Sequence, residues 1–241
     1  MSTYDTKGVC RFCLKSFSGR SMARHLVSCK AKKEKDFEPA KNIKKKDFIY
    51  HIKISGYKIF WLHIEIKGTK KLSDLDDFLR NIWLECCGHL SEFTIDGIDY
   101  SYLEPEVSES LGGMFALPSK SMKYQIKEVL DAKDTFTYDY DFGSSTHLEG
   151  QVIAIREGYL KEPVKILARN NPLELFCKQC EKPATQLCVE CGDFYCDRCL
   201  LKHECGDEMA LPAVNSPRMG VCGYAGEYDF DDFSVTSKNT G

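Results

Sequence analysis

FWLHIEIKGTKKLSDLDDFLRNIWLECCGHLSEFTIDG, Phe60 to Gly97, changes its apolar period twice. Ile59 to Ile66 alternates apolar and polar residues, the period of a strand with one buried face. Leu75, Phe78, Leu79, Ile82 and Trp83 then recur at helical spacing. Ser73 with Asp76 reads as a capping pair, so a helix is expected from Ser73 to Cys86. Gly88 suits its C-terminal stop. Leu90 to Ile95 and Ile98 to Leu103 resume the strand pattern about Asp96-Gly97, a dipeptide that favours a tight hairpin turn.

The pattern extends in both directions. Upstream, Ile49 to Ile54 is expected to pair with Ile59 to Ile66 across a break at Gly56-Tyr57. Downstream, Glu104 to Pro118 is irregular and Met122 to Leu130 suits a short helix. Phe136 to Phe142, Leu148 to Ile155 and Val164 to Leu167 read as strands. This order predicts an α+β fold over residues 48–170, a central mixed β-sheet with two helices, because each helix needs a sheet face to cover its apolar stripe.

The chain has 241 residues, 43% hydrophobic and 29% charged, which allows one sizeable core plus small appended modules. No run approaches the roughly 20 apolar residues of a membrane span. The first residues, MSTYDTKGVC, lack an apolar signal core, so a cytoplasmic protein with reduced thiols is expected rather than a disulfide framework. Charge is uneven. Residues 1–48 carry 13 Lys and Arg against 5 Asp and Glu, net +8, while the remainder has 20 against 31, net −11. A basic head can attract an anionic partner or the chain's own acidic body. Residues 31–47 read as a charged linker, and the acidic 227–241 as a mobile tail.

Cysteine spacing carries the chemistry. Cys10-x2-Cys13-x11-His25-x3-Cys29 offers two thiolates from a knuckle, then an imidazole and a thiolate one helical turn apart, so four donors converge on one tetrahedral zinc. Phe17 and Met22 provide the minimal apolar core of such a finger, over residues 1–30. Ser21 to Cys29 is its expected helix, with Ser18 or Ser21 as cap. Arg11, Lys15, Arg20, Arg24 and Lys30 are placed to meet phosphates, although one finger reads only about 3 base pairs.

Near the other end stand Cys177-x2-Cys180, Cys188-x2-Cys191, Cys196-x2-Cys199 and His203-x-Cys205, the ligands for two more zinc ions in a module over residues 171–226. Spacing alone permits sequential or interleaved pairing, and Cys222 is an alternative to Cys205. This stretch resembles B-box zinc modules. The resemblance implies that Cys177, Cys180, Cys196 and Cys199 form one site and Cys188, Cys191, His203 and Cys205 the other. Three closed four-donor sites are structural rather than catalytic.

Other arrangements invite an enzymatic reading. Cys86-Cys87-Gly88-His89 juxtaposes thiols with an imidazole, and Asp139, Asp141, Ser144, Ser145 and His147 surround a Gly143 turn. Small packed thiols at a helix end and ordinary turn chemistry account for both. A fourth metal site from His89, Asp141 and His147 is a further arrangement that sequence leaves open. His51 and His63 read as packed strand histidines.

The stretch Phe60 to Gly97, together with FTYDYDFGSSTHLEG at Phe136 to Gly150, resembles the plasmid pRiA4b ORF-3-like family, whose domain also occurs in passenger proteins of bacterial mobile elements. The resemblance covers about residues 48 to 168 and extends to LPAVNSPRMGVCGY, Leu211 to Tyr224. It implies an α+β fold and no established chemistry. The family's His-x-His-x-Phe element appears as His89-x-Ser91-x-Phe93, and its acidic turn as Asp141-Phe142-Gly143-Ser144-Ser145. No catalytic residue carries over.

The expected protein is a non-catalytic zinc-binding module with three structural ions. Its expected partners are nucleic acid through the basic head, a protein through the C-terminal module, or both. The alternatives are a pure protein-interaction scaffold and an accessory enzyme with a site near Cys86 to His89 and Asp141 to His147.

Overall fold

A computed structural model describes residues 6–40, 46–102 and 119–226. The irregular stretch and the acidic tail therefore lie outside the described residues. The central body is an eight-stranded mixed sheet. Its strands are β3 (Asp47–Gly56), β4 (Phe60–Lys67), β5 (Ser91–Ile95), β6 (Ile98–Ser101), β7 (Lys120–Ser121), β8 (Thr135–Tyr140), β9 (Thr146–Gly158) and β10 (Val164–Arg169), in the order β10-β4-β3-β9-β8-β5-β6-β7. Neighbours are antiparallel except β6 and β7. Both expected hairpins form on left-handed turn residues, Tyr57 and Lys58 (φ 51° and 59°) and Asp96 and Gly97 (φ 50° and 73°), the backbone that matches strand twist.

Among the described residues, two helices lie in this body, α3 (Leu72–Leu79) and α4 (Ile126–Val129). The sheet buries Ile52, Ile54, Leu62, Ile64, Phe93, Tyr138 and Leu148 against Leu72, Leu75, Leu79 and Trp83. The expected helix over Ser73 to Cys86 is displaced in two ways. It starts earlier because Asp74 accepts the Lys71 N–H at 2.8 Å, so Asp74 does the capping. It also ends differently, in a π turn over Arg80–Leu84 closed by Glu85 N–H to Arg80 O at 2.8 Å. Asp76 does not cap. It is buried, and it accepts hydrogen bonds from Ser91 Oγ and Tyr138 OH at 2.6 Å each and from Arg80 Nε at 2.7 Å.

The finger consists of β1 (Lys7–Val9), β2 (Ser16–Ser18) and α1 (Gly19–Ser28). It is docked on the sheet rather than tethered to it. Cys10, Met22 and Leu26 share one core with Trp61 of β4 and Leu167 and Ala168 of β10. Strand β4 is consequently buried on both faces, with Leu62, Ile64 and Ile66 toward the main core and Trp61 toward the finger. A Cβ at Gly8 would stand 2.0 Å from Arg169 O, so only glycine admits this approach.

The expected charged linker differs as well: Lys30–Ala40 forms helix α2. Its apolar face is weak, but Lys32 is buried and donates to Glu65 Oε1 and Asp36 Oδ2, both at 2.6 Å. Arg156 of β9 reaches the same Glu65 at 3.0 and 3.1 Å. Glu65 is held below its ordinary value because these cations outweigh its burial. His51 and His63 are packed strand histidines, His51 Nε2 3.0 Å from His63 Nδ1, and burial lowers both so that they stay neutral.

The C-terminal module has a small sheet of β11 (Gln186–Cys188), β12 (Phe194–Tyr195) and β13 (Ala210–Pro212), with α5 (Asp197–Leu200) beside it. Beyond Pro212 the chain returns to the central body. Among the described residues, no helix is long and apolar enough to cross a membrane.

Removing one partner of a buried ion pair costs about 3 to 5 kcal/mol. Glu65→Gln should therefore lower stability by roughly that amount and raise amide exchange over 30–36, as measured by denaturant unfolding and hydrogen–deuterium exchange of the metal-loaded protein.

Candidate metal centres

Among the described residues, four groups of Cys and His donors converge, each with its ligand atoms within 4.8 Å of one another. They are Cys10, Cys13, His25 and Cys29; Cys177, Cys180, Cys196 and Cys199; Cys188, Cys191, His203 and Cys205; and Cys86, Cys87, His89 and Cys222. All twelve residues expected as ligands fall into the first three groups. The C-terminal pairs interleave, first with third and second with fourth. All thirteen cysteines are free thiols.

Spacing dictates these geometries through a repeated turn. In each of three Cys-x2-Cys knuckles the residue after the second cysteine is left-handed: Leu14 (φ 58°), Glu181 (φ 56°) and Gly192 (φ 74°). Its N–H bonds the carbonyl of the first cysteine, at 2.9 Å for Leu14 to Cys10, 2.8 Å for Glu181 to Cys177 and 2.9 Å for Gly192 to Cys188. The turn aims backbone N–H groups at the first sulfur: Phe12 and Cys13 at Cys10, Gln179 and Cys180 at Cys177, Glu190 and Cys191 at Cys188. Such bonds favour the thiolate.

The donor separations match tetrahedral zinc. Zn–S near 2.3 Å and Zn–N near 2.0 Å imply S···S edges of about 3.8 Å and S···N edges of about 3.5 Å. Cys180 and Cys196 sulfurs are 3.7 Å apart, and Cys10 and Cys29 sulfurs 4.0 Å. Cys13 Sγ lies 3.3 Å from His25 Nε2, and Cys191 Sγ 3.5 Å from His203 Nε2. Both imidazoles are stacked on an aromatic ring, His25 on Phe17 at 3.8 Å and His203 on Tyr195 at 4.2 Å.

Electrostatics separates the thiols within each of these three groups, lowering the leading cysteine in the two C-terminal groups and the second cysteine in the finger. Burial raises Cys177, but N–H bonds from Cys196, Cys180 and Gln179 prevail and bring it down to about 6. Its neighbour Cys199 is pushed up to about 12, first by Cys180 and then by burial. Cys188 is likewise lowered to about 7 by backbone N–H groups against its burial, while burial and Cys188 push Cys205 up to about 11. In the finger, burial pushes Cys10 up to about 11; Cys13 is lowered because the Lys15 N–H outweighs its burial. Adjacent thiols resist ionising together, and a divalent cation removes that resistance.

The fourth group is a donor cluster beyond the three expected from spacing. Cys86, Cys87 and Cys222 follow no knuckle spacing, and the only signal in the sequence was three cysteines left over. The structure brings His89 Nε2 to 3.3 Å from Cys222 Sγ and His89 Nδ1 to 3.5 Å from Asp141 Oδ1. His147 is not part of this group; its Nδ1 is 2.9 Å from Asp139. Cys205 keeps its place and Cys222 does not replace it. The Arg218 guanidinium holds Asp141 below the usual carboxylate range.

Interleaved groups share their scaffold, since β11 carries Cys188 between the two cysteine pairs of the other group. Cys180→Ser should therefore release two zinc equivalents rather than one while the finger keeps its own, as counted by elemental analysis of dialysed protein.

No protein-family model matches the chain, and no curated protein does. Among solved structures, the chain is similar to a protein of unknown function from Methanosarcina mazei Go1, at 19% identity and a TM-score of 0.40, over 50% of this chain and 67% of that one.

Proposed function

We propose that this chain is a zinc-stabilised, non-catalytic binding protein whose finger end contacts nucleic acid. Thiolate-rich four-donor sets select zinc, and sets without a vacant position build structure rather than activate water. The observation that carries the reading is the placement of cations around α1 and α2. Lys32 is turned inward to Glu65, whereas Lys15, Arg20, Arg24, Lys30, Lys33 and Lys35 are exposed. Arg20 and Arg24 lie one turn apart, on a helix whose other side buries Met22 and Leu26. The docked finger holds these cations on a fixed base, so less side-chain and segmental freedom is lost on binding phosphates.

The resemblance of residues 48–168 to the pRiA4b ORF-3-like family supports placing the protein with those carried by mobile DNA. A second reading, contact with a protein through the C-terminal module, is favoured by exposed apolar side chains there, Leu201 at 77% and Phe176 at 58%.

Retention of duplex DNA and of RNA should fall as salt rises, with a slope of about −0.9 per phosphate neutralised on duplex DNA. Arg20→Glu combined with Arg24→Glu should make that slope shallower by about 2 and weaken binding roughly tenfold or more at low salt. Salt-insensitive or absent retention would remove the nucleic-acid reading. The protein-contact reading would then be tested by Leu201→Asp, which should abolish an association that the arginine variants leave intact.

A further inference from the structure

We propose that Cys86, Cys87, His89 and Cys222 bind a zinc ion that clasps the C-terminal strap, residues 213–224, onto the central body, and that this ion is the first of four to leave. The proposal rests on the reading of the donor groups as zinc sites and on no assumption about partners.

The site is closed by chain segments remote in sequence, since Cys222 lies 133 residues beyond His89. Three of its donors leave the π turn, which delivers Cys86 and Cys87 just past Glu85, and π turns of this kind recur at functional sites. The fourth comes from the strap, where Cys222 adopts φ 50° between Gly220 at 80° and Gly223 at 69°. A left-handed non-glycine residue is strained and persists where surrounding bonds hold it. A metal–sulfur bond at Cys222 is such a bond.

The surroundings are built for a ligated imidazole. His89 turns Nε2 toward the sulfurs and Nδ1 toward Asp141, the carboxylate–histidine arrangement that fixes the orientation and tautomer of a metal ligand. Asp141 is itself held, by N–H groups of Gly143 and Ser144 at 3.0 and 3.3 Å and by Arg218 Nη2 at 2.6 Å. Arg218, wholly buried, also places Nη2 3.5 Å from Cys86 Sγ, where a cation favours the thiolate. Ser216 Oγ donates to Trp83 O, a carbonyl of the π turn, at 2.6 Å. Strap, π turn and the β8–β9 turn thus meet at the donors.

Lability follows from what the site lacks. Each of the other three groups has a Cys-x2-Cys knuckle and at least one sulfur-bearing residue exposed by no more than 1%: Cys10, Cys177 or Cys188. Here Cys87 and Cys222 are exposed, and Cys86 and His89 are only half-buried. Water and chelators reach this ion first.

The test uses the full chain, purified reduced with zinc. Native mass spectrometry should count four equivalents, and Cys222→Ser should hold three. In that variant, amide exchange should rise about tenfold or more over 215–224 and 85–91, with 6–29 and 177–205 unchanged. A chelator titration should remove one equivalent first, together with strap protection. If Cys222→Ser does not fold, Cys87→Ser, at an exposed position, supplies the same readout. Three equivalents in the unaltered chain, four retained in either variant, or unchanged strap exchange after the first loss would overturn the clasp. Nucleic-acid retention is scored separately, so loss of the clasp leaves that reading standing and the reverse.

Discussion

Holding four soft donors within 4.8 Å of one another is unfavourable for thiols on their own, because each ionised sulfur opposes the next. The chain answers this in three groups with the same local device. A left-handed residue closes the knuckle and backbone N–H groups face the leading sulfur, an arrangement whose charge balance a cation would complete. Segments as small as residues 6–29 bury too little apolar surface to order themselves, so ligation supplies what a core does elsewhere. The two ligand histidines of these groups are each stacked on an aromatic neighbour, which restricts the ring before any ion binds.

The modules are then fitted to the sheet by contacts of different kinds. The finger borrows Trp61, and the indole in turn excludes side chains from Gly8 and Gly19, where a Cβ would come within 2.5 and 2.7 Å of it. Helix α2 is anchored by charge, Lys32 and Arg156 converging on buried Glu65. On the other side Tyr140 lies between two guanidinium groups, Arg80 and Arg218, each 4.8 Å from its ring centre. Arg80 belongs to the Asp76 network that orients the π turn, and Arg218 belongs to the strap, so one aromatic ring couples the helix end to the chain that closes over it.

Local chemistry was legible in the sequence to the extent that it was local. Alternation located strands within a few residues, and Asp96-Gly97 marked a turn whose left-handed backbone the structure contains. Knuckle spacing picked out all twelve residues whose donor atoms converge in the first three groups. Helix α2 was read as linker because Lys30 to Ala40 has no apolar stripe; Lys32 and Asp36 anchor it on Glu65 and Arg156, and composition does not distinguish these two residues from their neighbours. The helix over Ser73 to Cys86 was misplaced at its end because Asp76, a plausible capping partner, is drawn instead to Tyr138 and Ser91, contacts made by strands that follow later in the chain. The fourth group was missed for the same reason, since its donors become neighbours only when the strap closes.

That closure raises a question of energy. Arg218 is wholly buried against one carboxylate, and a buried ion pair is seldom stabilising in itself, because desolvation offsets most of the Coulomb attraction. Its additional bonds to Ser144 O at 2.9 Å and Thr146 Oγ1 at 3.0 Å serve Nη1, while Nε is buried without a hydrogen-bond partner among the described residues, so the guanidinium provides no surplus. The bond from Ser216 to Trp83 contributes about 1 kcal/mol, and Pro217 against Gly56 adds a small apolar contact. These terms specify where the strap lies more than they hold it there. A ligand bond from Cys222 acts at the far end of the same segment and makes the position of Arg218 conditional on metal, so the buried guanidinium becomes a register mark for a strap whose retention is decided at the donors.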